Sequence, residues 1–388
     1  MNYCLPFIFL VILTGSCIQR LDVPSIDQEV GTLVVDGQIT DAPGPYQVKL
    51  FRASASDASL NSVELLRAKQ ITLFDDAGES EILIRTESGI YETDPNGIRG
   101  KVGRKYAIRI EMLDGSVFES EPDEMLPAGS VDSLYYRWES VKPIQGATKN
   151  GFRIFMNASS SDQQTLLRWR FTGIYVLETF PQLRRANDAN CSNTPPPPDP
   201  PPCSGWRYIR NSPINPIAGG ILEQFSEECT RCTCWIPDAE KKPSLSDEVI
   251  STDGKYKEIE MGYVPFNQWT FGMGKYMVKV EQMSLTKKAY EFWKIFKDQK
   301  DGAASLFQPA FGRTKTNLFS TQGDVPVMGI FYASAVRTKV IFITPADAPV
   351  DVPPYDFDPT SENCALWSDC RALNSFPNGS ATPPPEWQ

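Results

Sequence analysis

The chain has 388 residues, a formal net charge of −10 and no histidine. Without histidine, a His-based catalytic triad, the usual His zinc sites and a histidine pH switch are excluded. The acidic balance disfavours nucleic acid, whose phosphates it repels, and the length suits two domains better than one core.

The chain opens with an apolar, uncharged run, Leu5-Pro-Phe-Ile-Phe-Leu-Val-Ile-Leu13. It has the length of a signal-peptide core and is too short to span a bilayer. Thr14-Gly15-Ser16-Cys17 follows. Small residues ahead of a cysteine suit lipoprotein signal peptidase, which cuts before a cysteine that already carries diacylglycerol. Thr14 stands where leucine is usual, and the residues before the apolar run include no lysine or arginine. Residues 1–17 are therefore expected to be a lipoprotein signal peptide with Cys17 lipidated, the alternative being an ordinary secretory cleavage site beside a chance cysteine. No other stretch approaches about 18 consecutive apolar residues, so the lipid is expected to hold the protein at the membrane.

Residues 18–30 read as a tether. Residues 31–124 then show short alternating segments: Thr32–Ile39, Tyr46–Leu50, Ile71–Leu73, Glu81–Arg85, Gly89–Tyr91 and Gly103–Ile110, with turns at Asp75-Asp-Ala-Gly78 and Asp114-Gly115. About seven strands at such spacing predict an immunoglobulin-like β-sandwich. A linker at Pro122–Gly129 leads to a second β-sandwich-like domain, residues 130–350, with a long strand at Thr165–Leu177 and a bend expected at Gly173. Regular structure is expected to stop at residues 181–245, where Pro195–Pro202 and clustered cysteines form an insertion. The pattern resumes at Lys255–Met261 and Lys275–Glu281. One amphipathic helix follows from Leu285 to about Lys300, with Leu285, Ala289, Phe292, Trp293 and Phe296 on one stripe and Ser284 as N-cap. Pro326–Ala335 and Thr338–Thr344 are expected to close the same sheet. Residues 351–388 form a proline-rich tail. The predicted class is mainly β.

Nine cysteines are present. Cys4 would leave with the signal and Cys17 would carry lipid. Cys191, Cys203, Cys229, Cys232, Cys234, Cys364 and Cys370 remain as disulfide candidates, their odd number leaving at least one unpaired or joined to another chain. Cys229, Cys232 and Cys234 could instead chelate zinc or exchange thiols, but no fourth ligand lies nearby in sequence.

Ser284-Leu-Thr-Lys287 matches the S-x-x-K nucleophile motif of penicillin-binding proteins and serine β-lactamases. No S-D-N accompanies it, and Lys315-Thr-Asn317 lacks the glycine of K-T-G. The acids Asp75, Asp76, Glu79 and Glu81, and a looser set of Asp351, Asp356, Asp358 and Glu362, are calcium or glycosidase candidates only by composition, because no EF-hand spacing is present. No catalytic residue, metal site or cofactor is predicted. Trp206, Trp235 and Trp269 are candidate anchors for a ligand or partner, or else core residues.

The layout resembles a family of Bacteroidota outer-membrane lipoproteins known only as a domain of unknown function. The resemblance rests on Cys17, Gly89-Ile-Tyr91, Gly103-Arg-Lys-Tyr106, Cys234-Trp-Ile236, and Val278–Phe307 with Ser284-Leu-Thr and Ala289-Tyr-Glu-Phe-Trp293. Gly329-Ile-Phe-Tyr-Ala-Ser334 and a two-cysteine tail complete it. Members are often encoded beside TonB-dependent receptors. The resemblance implies an outer-membrane accessory protein that partners such a receptor in ligand capture or uptake, and it implies surface exposure, which the residues after Cys17 do not indicate by themselves. Alternatives are a structural or adhesive envelope lipoprotein, or a hydrolase acting through carboxylates or Ser284.

Overall fold

The computed structural model describes residues 32–52, 64–142, 148–162, 165–179, 206–209, 221–224, 231–240, 243–246, 251–302, 316–353, 370 and 379–387. The fold is mainly β, as expected, and consists of two β-sandwiches and one long helix. Among the described residues, no helix is long and apolar enough to cross a membrane.

Alternating burial builds the first sandwich. One sheet runs Val327–Ser334, Leu33–Thr40, Gln47–Arg52, Ile90–Glu92, Ile84–Glu87, with Glu64–Leu65 added on Gln47–Arg52. The other runs Leu318–Ser320, Val117–Ser120, Lys105–Met112, Ala68–Asp75, Ser80–Ile82, with Asp123–Glu124 added on Lys105–Met112. Val35, Ile39, Val48 and Leu50 from the first meet Ile71, Leu73, Ile108 and Ile110 from the second. Burying each such side chain is worth roughly 1.5–3 kcal/mol. The hairpin expected at Asp75–Gly78 forms, with Leu73 opposite Glu81.

Two of these strands lie outside the range read as the first domain. Leu318–Ser320 pairs with Val117–Ser120, and Val327–Ser334 lies parallel to Leu33–Thr40. The expectation that Pro326–Ala335 closes the second sheet is therefore corrected. Parallel neighbours need a long connection, and here the connection carries most of the first sandwich and the whole second one.

The second sandwich packs a four-stranded sheet, ordered Ser130–Val141, Lys149–Ser159, Lys255–Pro265, Ser251–Thr252, against a five-stranded one. The latter runs Thr233–Ala239, Leu166–Glu178, Tyr276–Leu285, Val336–Ile343, with Ser244–Leu245 added on Leu166–Glu178. Phe152, Ile154 and Met156 meet Leu167, Trp169, Phe171 and Val280 in its core. Residues 181–245 are less irregular than expected, since Thr233–Ala239 and Ser244–Leu245 join this sheet and Trp206–Ile209 pairs with Ile221–Gln224.

Gly173 has a role other than the expected bend. Leu166–Glu178 keeps its register with Tyr276–Leu285 through Gly173. A Cβ there would lie 1.7 Å from the Tyr276 hydroxyl, so the glycine makes room for a buried tyrosine ring.

A buried polar seam joins the sandwiches. The chain leaves the first sandwich at Ser334 and enters the second at Val336, with Ala335 between them. The Ser284 N–H donates to Ala335 O (3.2 Å), and the Ala335 N–H donates to Ser284 Oγ (3.1 Å). Gln282, completely buried, donates through Nε2 to Ala128 O, Ser130 O and Ser159 O, and accepts the Trp169 indole N–H. Asp123 accepts from the Thr286 hydroxyl (2.6 Å) and the Ala333 N–H (2.9 Å). Burial, above all, raises the Asp123 pKa, and these hydrogen bonds only partly oppose the shift.

The long helix, Lys287–Gly302, lies over this seam. Ala289, Tyr290, Phe292 and Trp293 pack against Met283 and Leu285 of one sandwich and Ile330 and Tyr332 of the other. Ser284 is not its N-cap, because it lies within the preceding strand, Tyr276–Leu285. The Thr286 hydroxyl accepts from the Ala289 N–H instead (3.4 Å).

Candidate binding face on the second sandwich

The sequence-predicted residues do not converge on one place. Cys17, Cys191, Cys203, Cys229 and Cys364 lie outside the described residues, as do Asp356, Asp358, Glu362 and Lys315. Cys234 and Cys370 form a disulfide with Cα atoms 5.4 Å apart across 136 residues of separation. Cys232 is also disulfide-bonded. Cys232 and Cys234 thus serve as crosslinks, and among the described residues no group of three or more His, Cys, Asp or Glu side chains could hold a metal ion.

Trp206 lies in the Trp206–Ile209 strand. Trp269 sits in a short helix, Gln268–Phe271, capped by Asn267, and packs half-buried on the second core. Trp235 lies on the edge strand of the five-stranded sheet, against Trp387 of the tail.

Ser284 is fully buried, and its hydroxyl is engaged at the seam, donating to Leu126 O and accepting from the Ala335 N–H. The Asp75–Glu81 acids brace loops rather than converge on one point. Asp75 Oδ1 accepts from the Ala77 and Glu79 N–H groups, and Arg104 binds both Asp75 and Asp76. Glu81 accepts from the Asp94 and Ile98 N–H groups.

A different set of residues forms a built surface, on the outer face of the four-stranded sheet. Along Ser130–Val141, Leu134, Tyr136 and Trp138 pack into the core, so Tyr135, Arg137 and Glu139 point outward. On the neighbouring strand Arg153 and Phe155 alternate with buried Phe152, Ile154 and Met156. Two register shifts, between Met156 and Ala158 and between Ile154 and Phe155, leave extra residues on the third strand. Such bulges re-aim side chains. Here they bring Glu258, Glu260 and Tyr263 to the same outer face although the inward residues are Tyr256, Ile259 and Val264. At the first bulge Glu258 takes φ +53°, a left-handed conformation rare for a side-chain-bearing residue.

Tyr135 and Phe155 stack with centroids 5.8 Å apart. The Arg137 guanidinium lies 4.8 Å from the Phe155 ring centre and 5.5 Å from that of Tyr135, and pairs with Glu258. Arg153 donates twice to Glu139 (2.8 and 2.6 Å) and once to Glu260 (2.6 Å). Hydrogen bonding to Glu258 and to Glu139 raises the pKa of Arg137 and Arg153 respectively, so both stay charged. Beside them the Tyr263 ring lies over Gly151, where a Cβ would come within 2.4 Å of it, and burial raises the phenol's pKa. The Tyr263 hydroxyl is buried without a hydrogen-bond partner among the described residues.

This face offers a stacked aromatic pair, an exposed guanidinium over it, and ionised groups of both signs alongside. Such a surface suits recognition of flat, polar partners by stacking and charge-assisted hydrogen bonds. Its signal in the sequence is the parity of Tyr135, Arg137 and Phe155 against their buried neighbours.

A comparison with curated proteins finds no match. A family model matches residues 19–340, most of both sandwiches and the helix between them, and by that match the chain belongs to the family described as a domain of unknown function, DUF4249.

Proposed function

We propose that the chain is an exported lipoprotein, held at the outer membrane by lipid on Cys17, that works by binding as the accessory of a TonB-dependent receptor in ligand capture or uptake. The observation that supports binding is the Tyr135–Arg137–Phe155 platform, a polar-aromatic surface on the outer face of the four-stranded sheet. The apolar run before Cys17 supports export, and the resemblance to receptor-linked lipoproteins supplies the class of partner.

The test is immunopurification of the untagged protein from membranes in mild detergent, with mass spectrometry of what accompanies it. A stoichiometric outer-membrane receptor is expected, together with a lipid-modified Cys17 peptide and release of Cys17→Ala from the membrane. Arg137→Ala is expected to weaken the receptor complex about tenfold, as for an interface anchor, while the thermal midpoint stays unchanged. Recovery of the lipidated protein alone would replace this reading with an independent structural or adhesive role.

A further inference from the structure

The outer face of the five-stranded sheet is covered twice. The long helix covers one end through Trp293, whose ring lies 3.7 Å from the Arg168 guanidinium. At the other end Ile174, Met277 and Phe342 stand side by side across three strands, with Trp235 on the edge. Met277 is completely buried although it alternates with the core residues Tyr276 and Val278. The chain's own tail covers that end.

Among the described residues, the tail is held by a crosslink, a backbone bridge, ring contacts and an ion pair. The Cys234–Cys370 disulfide crosslinks it to the edge strand. Ser380 makes a two-bond bridge to Trp235, donating at 3.0 Å and accepting at 2.8 Å. The Trp387 ring then lies edge-on to Trp235 at 6.4 Å and to Phe342 at 5.8 Å. Lys275 Nζ sits 4.5 Å from the Phe342 ring centre and 5.1 Å from that of Trp387, and Lys279 pairs with Glu386 at 2.6 Å. Pro237, in the same edge strand, has no N–H to donate, so the tail's pairing is confined to the stretch around Trp235. The fit is also incomplete, because Trp235 Nε1 is buried with no acceptor among the described residues.

We propose that this face, between Trp235 and Phe342, is a docking site for an extended segment of a partner protein bearing an acidic residue next to an aromatic one. The chain's own Glu386–Trp387 end occupies it until that partner arrives. Charge complementarity selects the occupant, since Lys275 and Lys279 flank the apolar patch and take Glu386 and Trp387 in this structure. An incoming segment that also offers an acceptor to Trp235 Nε1 outcompetes the tail, because a buried donor left unpaired is costly. The Cys370 crosslink keeps the displaced tail nearby, at the high effective concentration of a tethered ligand.

The probe is a fluorescently labelled peptide of residues 379–388, read by anisotropy against the detergent-solubilised protein. A variant lacking residues 379–388 should bind it saturably, and the intact chain at least tenfold more weakly. Peptides carrying Glu386→Ala or Trp387→Ala should lose at least tenfold. Full-length Trp387→Ala should accept the wild-type peptide, and it serves as the receptor if the shortened chain fails to fold. Absence of binding up to about 1 mM, the range of effective concentration a short tether supplies, by a folded variant with its Cys234–Cys370 bond intact would make the tail a fixed structural strap and overturn the proposal. Equal binding by the intact chain would also overturn it. So would a concentration-dependent dimer that disappears on truncation, since the occupant would then be a second copy of this chain. None of these readouts depends on membrane attachment or on a receptor.

Discussion

Two described sites carry the same small motif, an arginine laid on an aromatic ring and paired with a glutamate, in opposite surroundings. At the seam Arg168 lies on Trp293 and pairs with Glu240, the two charged side chains being 6% and 15% exposed. On the outer face Arg137 lies on Phe155 and pairs with Glu258, at 55% and 60%. Burial, not the pairing itself, decides what each motif does. The buried pair has given up its hydration and depends on its partner. The exposed pair keeps its water and contributes little to folding, which leaves its guanidinium free to act on something outside.

The sharpest way to break the comparison is to delete the same partner from each. Glu240→Ala strands Arg168 in the seam, where its Nε already lacks a partner among the described residues, and should cost about 3–5 kcal/mol in urea denaturation. Glu258→Ala should cost far less. Equal losses would mean that the seam is hydrated and that the contrast drawn here is wrong. Gln282→Leu comes next. It removes the acceptor of Trp169 and the donor to three carbonyls, for a loss of roughly 2–4 kcal/mol. Because Gln282 ties the linker to the second sandwich, faster proteolysis within residues 125–130 should accompany that loss.

Much of the fold is legible in the sequence, for reasons that also explain what is not. Val35, Ile39, Val48 and Leu50 alternate, and local alternation predicts strands wherever one face is buried. The seam is invisible to that signal. Pairing of Leu33–Thr40 with Val327–Ser334 depends on contacts nearly 300 residues apart, and nothing local in Gly329-Ile-Phe-Tyr distinguishes one sandwich from the other. Ser284 reads as an N-cap that also fits S-x-x-K, and only its pairing with Ala335 shows that it lies within a strand. The candidate face is half legible. Tyr135 and Arg137 follow the parity of their strand, whereas Glu258, Glu260 and Tyr263 reach that face through bulges that break parity. For the tryptophans, residue type leaves anchor and core open, and only packing separates them. Trp235 belongs to the tail's docking site, and Trp269 packs on the core.

The seam also predicts a pH signature. The folded state raises the Asp123 pKa above its ordinary 3.8, so the native chain binds this proton more tightly than the unfolded chain does. The contribution of Asp123 to stability is therefore greatest at the acidic end and declines as pH rises from about 3.8 through the raised native value, above which it is constant. Denaturation midpoints of the wild type and Asp123→Asn, compared between pH 4 and pH 7, should show the wild type losing ground to the variant as pH rises. A constant difference would place Asp123 in water and open the seam.

The smallest effect separates backbone from side chain within the outer motif. Glu258 combines an exposed ion pair with φ +53°, and the two have different consequences. Glu258→Ala removes the pair but keeps a Cβ in the left-handed region. Glu258→Gly removes both the pair and the strain, at some cost in unfolded-state entropy. The glycine variant should therefore be more stable than the alanine variant by about 1 kcal/mol, and both should bind a partner alike, since each leaves Arg137 without its carboxylate. If alanine proves as stable as glycine, the strand has relaxed out of the bulge. In that event Glu260 and Tyr263 no longer share a face with Arg137 in the alanine variant, and its binding should fall below that of the glycine variant, which keeps the bulge.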